Sequence, residues 1–91
     1  MNKAVLTVLA KDRVGIIALV STRLSQLDVN ILDITQTVMD EDVFVMLMLV
    51  DINLSKASFH DVQENLRKLG EENGISIRLQ REEIFDAMHK I

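Results

Sequence analysis

Apolar and polar positions recur along this chain with two periods, and the switches between them mark seven elements. Residues 4–10 are almost continuously apolar, the pattern of a strand protected on both faces. Ile17, Val20, Leu24 and Leu27 then recur at three- and four-residue spacing, which predicts an amphipathic helix ending near Leu27. From Ile31 to Met39 the period drops to two, with Leu32, Ile34 and Val38 on one face and Asp33, Thr35 and Thr37 on the other. Asp40-Glu41-Asp42 is a tight polar turn into a continuous apolar strand, Val43 to Val50. Ser55 is the expected N-cap of a second helix, with Leu54 and Phe59 placed as a hydrophobic staple. Its buried stripe is Phe59, Val62, Leu66 and Leu69, and Asn73-Gly74 stops it. Ile75, Ile77 and Leu79 alternate with Ser76, Arg78 and Gln80 as a fourth strand, and Ile84, Phe85, Met88 and Ile91 recur at helical spacing in the tail.

Strands apolar on both faces belong inside a sheet, whereas strands apolar on one face belong at its edges. The first and third strands are therefore central and the second and fourth flank them. Right-handed crossovers through each helix then give the order 4-1-3-2. The fold expected is α+β: a ferredoxin-like βαββαβ sandwich, with an antiparallel sheet and an extra C-terminal helix. Residues 1–81 form the domain and 82–91 a helical extension packed on it. Two helices cover one face only, yet the third strand carries Phe44, Met46, Met48 and Val50 on one side and Val43, Val45, Leu47 and Leu49 on the other. Leaving four such side chains wet would forfeit roughly 6–12 kcal/mol, at about 1.5–3 each. That is comparable with the roughly 5–15 kcal/mol net stability of a whole domain. The tail, a second subunit, or both must cover them.

The chain has 91 residues, enough for one domain, and 48% hydrophobic with 26% charged content marks it as globular. A net charge of −4 argues against nucleic acid or anionic lipid as partner. RNA stacking would also need sheet aromatics, and Phe44 is the only one. No apolar run is long enough to span a membrane as a helix. Charged Lys11-Asp12-Arg13 follows the first apolar stretch at once, so a cytoplasmic protein is expected rather than a secreted one. There is no cysteine. His60 shares a helix face with Glu64, but His89 lies far away, so no metal site or cofactor is expected.

Candidate chemistry concentrates where the first strand gives way to the first helix, at Lys11-Asp12-Arg13-Val14-Gly15-Ile16. Free N–H groups and the helix dipole favour a carboxylate or phosphate there, and Gly15 exposes its main chain at close range. An ordinary strand–helix turn is the plain alternative. The turn distantly resembles that of acylphosphatases, with Arg13 as anion ligand and Asn30 as the nearest water-orienting group. Their turn is richer in glycine, however, and no other catalytic arrangement can be assembled. No enzyme is expected.

The turn more closely resembles the Asp-Arg-Pro-Gly turn of the ACT domain family, with Val14 in place of proline. Asp28-Val29-Asn30-Ile31 resembles that family's Gly-Val-Asn-Ile, with Asp28 in place of glycine. The likeness covers nearly the whole chain. The tail from Glu82 to Ile91 further resembles a bacterial subfamily of free-standing ACT proteins, and the ACT modules of the glycine-cleavage regulator. The resemblance implies a regulatory module, not an enzyme, that senses an amino acid as a homodimer and acts on a separate regulated protein. It implies a site between the turn of one subunit, Asp12 to Ile16, and Asn30 and Ile31 of another. In it Asp12 would accept a ligand ammonium, the Gly15 and Ile16 main chain would meet the carboxylate, and Asn30 would address both. A pure dimerisation module is the alternative function.

Overall fold

The structure is a computed structural model describing residues 2–11, 15–39 and 42–83. Its elements run β1 (Lys3–Lys11), α1 (Ile16–Gln26), β2 (Asn30–Met39), β3 (Val43–Asp51), α2 (Phe59–Asn73) and β4 (Ser76–Arg81). The sheet order is β2-β3-β1-β4, all neighbours antiparallel, which is the expected ferredoxin-like βαββαβ arrangement. The expected C-terminal helix, with Ile84, Phe85, Met88 and Ile91, lies outside the described residues apart from Glu82 and Glu83.

The sheet divides cleanly by parity. Ala4, Leu6 and Val8 of β1, Met46, Met48 and Val50 of β3, and Ile77 and Leu79 of β4 are buried in one core cluster with Ile16, Val20 and Leu24 of α1 and Val62, Leu66 and Leu69 of α2. The other face carries Val5, Leu9, Val45, Leu47 and Leu49, and no described element lies over it; Leu9 and Leu47 are 43% and 42% exposed. One cross-link joins the helices: Arg23 donates to Asn65 Oδ1 at 2.6 Å.

Four local expectations are corrected. In α1 the buried stripe starts at Ile16, not Ile17, because Gly15 caps the helix and sets its phase. Ser58, not Ser55, is the N-cap of α2, accepting from the Asp61 N–H at 3.1 Å, while Ser55 accepts from the Ala57 N–H within a local turn. Phe59 thereby becomes the first helical residue, too early to meet Leu54, which stands 76% exposed and forms no staple. Phe59 instead packs beneath the Arg81 guanidinium, 4.2 Å from its ring centre. The alternation in β2 is also broken: Ile31 pairs with Val50 and Asp33 with Leu49, so Leu32 is the extra residue of a bulge.

Candidate functional site

Of the turn residues singled out from sequence, Asp12, Arg13 and Val14 lie outside the described residues. Gly15 adopts φ 90°, a left-handed value that side chains resist. A Cβ there would meet nothing within 4 Å, so backbone angle rather than crowding selects glycine. No side-chain hydrogen bond caps α1, and no acid sits in its first turn. The first N–H groups of α1 therefore have no partner inside the helix, and the positive end of its dipole is uncompensated by the described residues. The Ile16 side chain is buried in the core, so only its main chain can meet a ligand.

Asn30 opens β2 and pairs with Asp51 at the far end of the sheet. It is exposed, and among the described residues its amide has no hydrogen-bond partner. Ile31 is half-buried against the core, a wall rather than a contact that could reorient. Asp28, two residues before Asn30, holds φ 58°. That left-handed angle explains glycine in the resembling motif; Asp and Asn are the side chains that tolerate it best. An open groove of about 640 Å³ runs beside these residues, lined by Ser21 and Ser25 of α1, Asp28, Asn30, Ile31 and the exposed Leu54. Ser21, Ser25 and Leu54 were not singled out from sequence, although serines four apart on a helix do share a face.

Within one chain the two halves lie at opposite ends of the sheet. Lys11 pairs with Val43, which pairs with Met39; Lys3 pairs with Asp51, which pairs with Asn30. Eight residue steps along β1 separate these rows, about 26 Å at roughly 3.3 Å per residue. One chain therefore brings Gly15 and Ile16 together at one end and Asn30 and Ile31 together at the other, and does not unite the pairs. The same separation removes Asn30 as a water-orienting partner for the turn within one chain.

A second groove, of about 550 Å³, lies between α2 and β4 and includes His60 and Glu64. Glu64 is already engaged by Arg67 at 2.5 Å, and that hydrogen bond holds its carboxyl below the usual value. Arg67 also pairs with Glu71. Among the described residues no three potential ligands cluster around a metal position, and no helix is long and apolar enough to cross a membrane.

Residues 2–80 match the model of the ACT domain family. A UPF0237 protein of Listeria innocua is 49% identical over 89 residues, spanning 98% of this chain and 99% of that protein. The fold matches an ACT domain protein from Streptococcus pneumoniae with a TM-score of 0.81 at 36% identity, covering 92% of this chain and 93% of the other. It also matches a putative glycine cleavage system transcriptional repressor, with a TM-score of 0.71 at 27% identity, over 88% of this chain and 45% of that one.

Proposed function

The chain belongs to the ACT domain family of regulatory small-ligand-binding modules, and from that premise we propose that it senses an amino acid as a two-fold homodimer. One observation carries the reading: the two halves of the candidate site stand about 26 Å apart along the sheet of one chain, so a single ligand can touch both only if two chains meet. Strand β2 supplies the edge for that meeting. It is exposed along nearly all its length, with Leu32, Ile34, Val38 and Met39 on the surface and no proline to block pairing. Pairing β2 antiparallel with its two-fold mate sets the Asn30 end of one chain beside the Met39 end of the other, the end at which the partner's β1–α1 turn lies.

In that arrangement the partner's Gly15 and Ile16 N–H groups take the ligand carboxylate and its Asp12 takes the ammonium. Asn30, with a donor and an acceptor on one amide, spans both groups. Ligand binding then changes affinity for a separate regulated protein, a coupling that is reciprocal and typically about 1–3 kcal/mol. Likeness to a glycine cleavage repressor supports a regulatory target of this kind.

A thermal-shift screen of the common amino acids tests the reading. A ligand present at about 100 times its dissociation constant stabilises the folded dimer by roughly 2.7 kcal/mol. Asn30→Ala then weakens calorimetric binding by a hundredfold or more, since hydrogen bonds to a charged group are worth about 1.5–3 kcal/mol each. The fold survives, because the Asn30 side chain is exposed and has no hydrogen-bond partner among the described residues. A screen with no hit, or light scattering showing only a 10.3 kDa species at micromolar concentration, refutes the proposal.

A further inference from the structure

Asp28 serves the fold through its backbone, while among the described residues no polar group engages its side chain. At φ 58° it occupies a conformation that an ordinary L-residue adopts only at a cost of about 1–2 kcal/mol, and glycine would occupy freely. Its N–H and that of Val29 close α1 on the Ser25 and Leu24 carbonyls at 3.1 and 2.9 Å, a capping role that uses the left-handed angle, but among the described residues its carboxylate has no hydrogen bond and no ion pair. Glycine would close the helix as well, so the carboxylate is what the aspartate adds.

The surroundings of that carboxylate are electronegative and shaped. Asp28 lines the groove that also contains Asn30. The groove opens at the C-terminal end of α1, where the helix dipole favours a cation, although the Arg23, Leu24 and Ser25 carbonyls already accept backbone N–H groups. Arg23, the basic residue of the last turn, does not compensate: it does not line the groove and donates to Asn65 on α2. Among the described residues no lysine, arginine or histidine lines the groove, whereas Ser21 and Ser25 add hydroxyl acceptors. Ile31 and the exposed Leu54 supply apolar walls beside these polar groups.

Resting on the amino-acid reading above, we infer that this site takes amino acids whose side chains end in an ammonium or similar cation, with Asp28 as the residue that reads that charge. The spacing fits. A ligand whose backbone is held at Asn30 meets Asp28 two residues back along the chain, at most about 7 Å away. A side chain of three or four methylenes spans that interval, with its methylenes against Ile31 and Leu54 and its ammonium donating to the Asp28 carboxylate and the serine hydroxyls. The glycine that stands at this position in the resembling motif offers no such charge. Asp28 is thus a specificity residue peculiar to sequences that carry an acid here.

Calorimetric titration of the intact protein with L-lysine, its shorter neutral analogue L-norleucine, and L-glutamate provides the test, in the wild type, Asp28→Asn and Asp28→Gly. Both replacements tolerate the left-handed angle, so both variants fold. The wild type binds lysine about tenfold or more tighter than norleucine, glutamate weakest, and rising salt erodes the lysine advantage. Both variants lose that advantage while norleucine affinity stays unchanged. If lysine and norleucine bind the wild type equally, and Asn30→Ala weakens both, the cation inference fails while the amino-acid reading stands. Equal losses for lysine and norleucine in Asp28→Asn also overturn it, because Asp28 then reads the α-amine common to all amino acids. No binding of any amino acid in the wider screen overturns both.

Discussion

Replacing Gly70 with alanine sets two opposing effects against each other, and the structure decides between them. Gly70 lies inside α2, four residues before its C-cap. Helix propensity alone favours alanine there by about 0.8–1.0 kcal/mol. A Cβ at Gly70, however, falls 2.6 Å from the Ile75 carbonyl oxygen, 3.2 Å from the Ile77 Cγ1 and 3.3 Å from the Ile77 backbone nitrogen. Two of these are backbone atoms, so no rotamer change relieves the overlap. Moving them disturbs the Ile75 N–H bond to the Gly70 carbonyl, 2.9 Å long, and the start of β4, whose Ile77 and Leu79 are core residues. Overpacking typically costs about 1–3 kcal/mol, and weakening that bond adds about 1. The net expectation is a loss of about 1–3 kcal/mol. For a domain of this size that lowers Tm by roughly 4–24 °C. Denaturant and thermal unfolding at one fixed protein concentration measure it, since any dimerisation makes Tm concentration-dependent. Glu72→Ala, exposed on the same helix, serves as a control and should change stability by less than about 0.5 kcal/mol. A Gly70→Ala protein as stable as the wild type would refute the claim that α2 packs on β4 this closely.

Asp28→Val places a β-branched residue at φ 58° and should cost about 1–2 kcal/mol in unfolding free energy, whereas Asp28→Asn should cost little; equal stability of the two would mean the turn is not left-handed. Ending the chain after Glu83 removes the apolar stripe of residues 84–91. If that segment covers the open sheet face around Leu9 and Leu47, the truncated protein aggregates or melts lower, and unchanged melting with full solubility shows the tail to be dispensable. Glu64 is held below its usual value by the hydrogen bond from Arg67. Its ionised pairing is present above the unfolded value near 4.5 and is lost as pH falls through the lower folded value. In Arg67→Ala the Glu64 midpoint followed by NMR should rise towards 4.5, and an unmoved midpoint would show the pairing to be inconsequential in solution.

The sequence by itself determined the strand order. Period-two alternation reports how many faces of a strand are buried, so the doubly apolar runs at Ala4–Ala10 and Val43–Val50 had to be central. It also determined where the second helix ends, because Gly74 marks a position whose left-handed angle few residues accept. Local pattern failed where the choice was between near-equivalent signals. Ser55 and Ser58 are both good caps, and only the docking of Val62, Leu66 and Leu69 on the sheet selects the later one. The bulge at Leu32 is likewise invisible to alternation, since it arises from pairing with β3. Gly70 reads as an ordinary weak helix residue until β4 is seen pressed against it. The candidate site shows the same division. The sequence names its residues, because hydrogen-bonding type and glycine content are local properties. Tertiary structure alone puts Gly15 and Asn30 at opposite ends of the sheet, through the register of β1, β3 and β2. It also surrounds Asp28 with a groove, because a groove is made by elements that meet only when the chain folds.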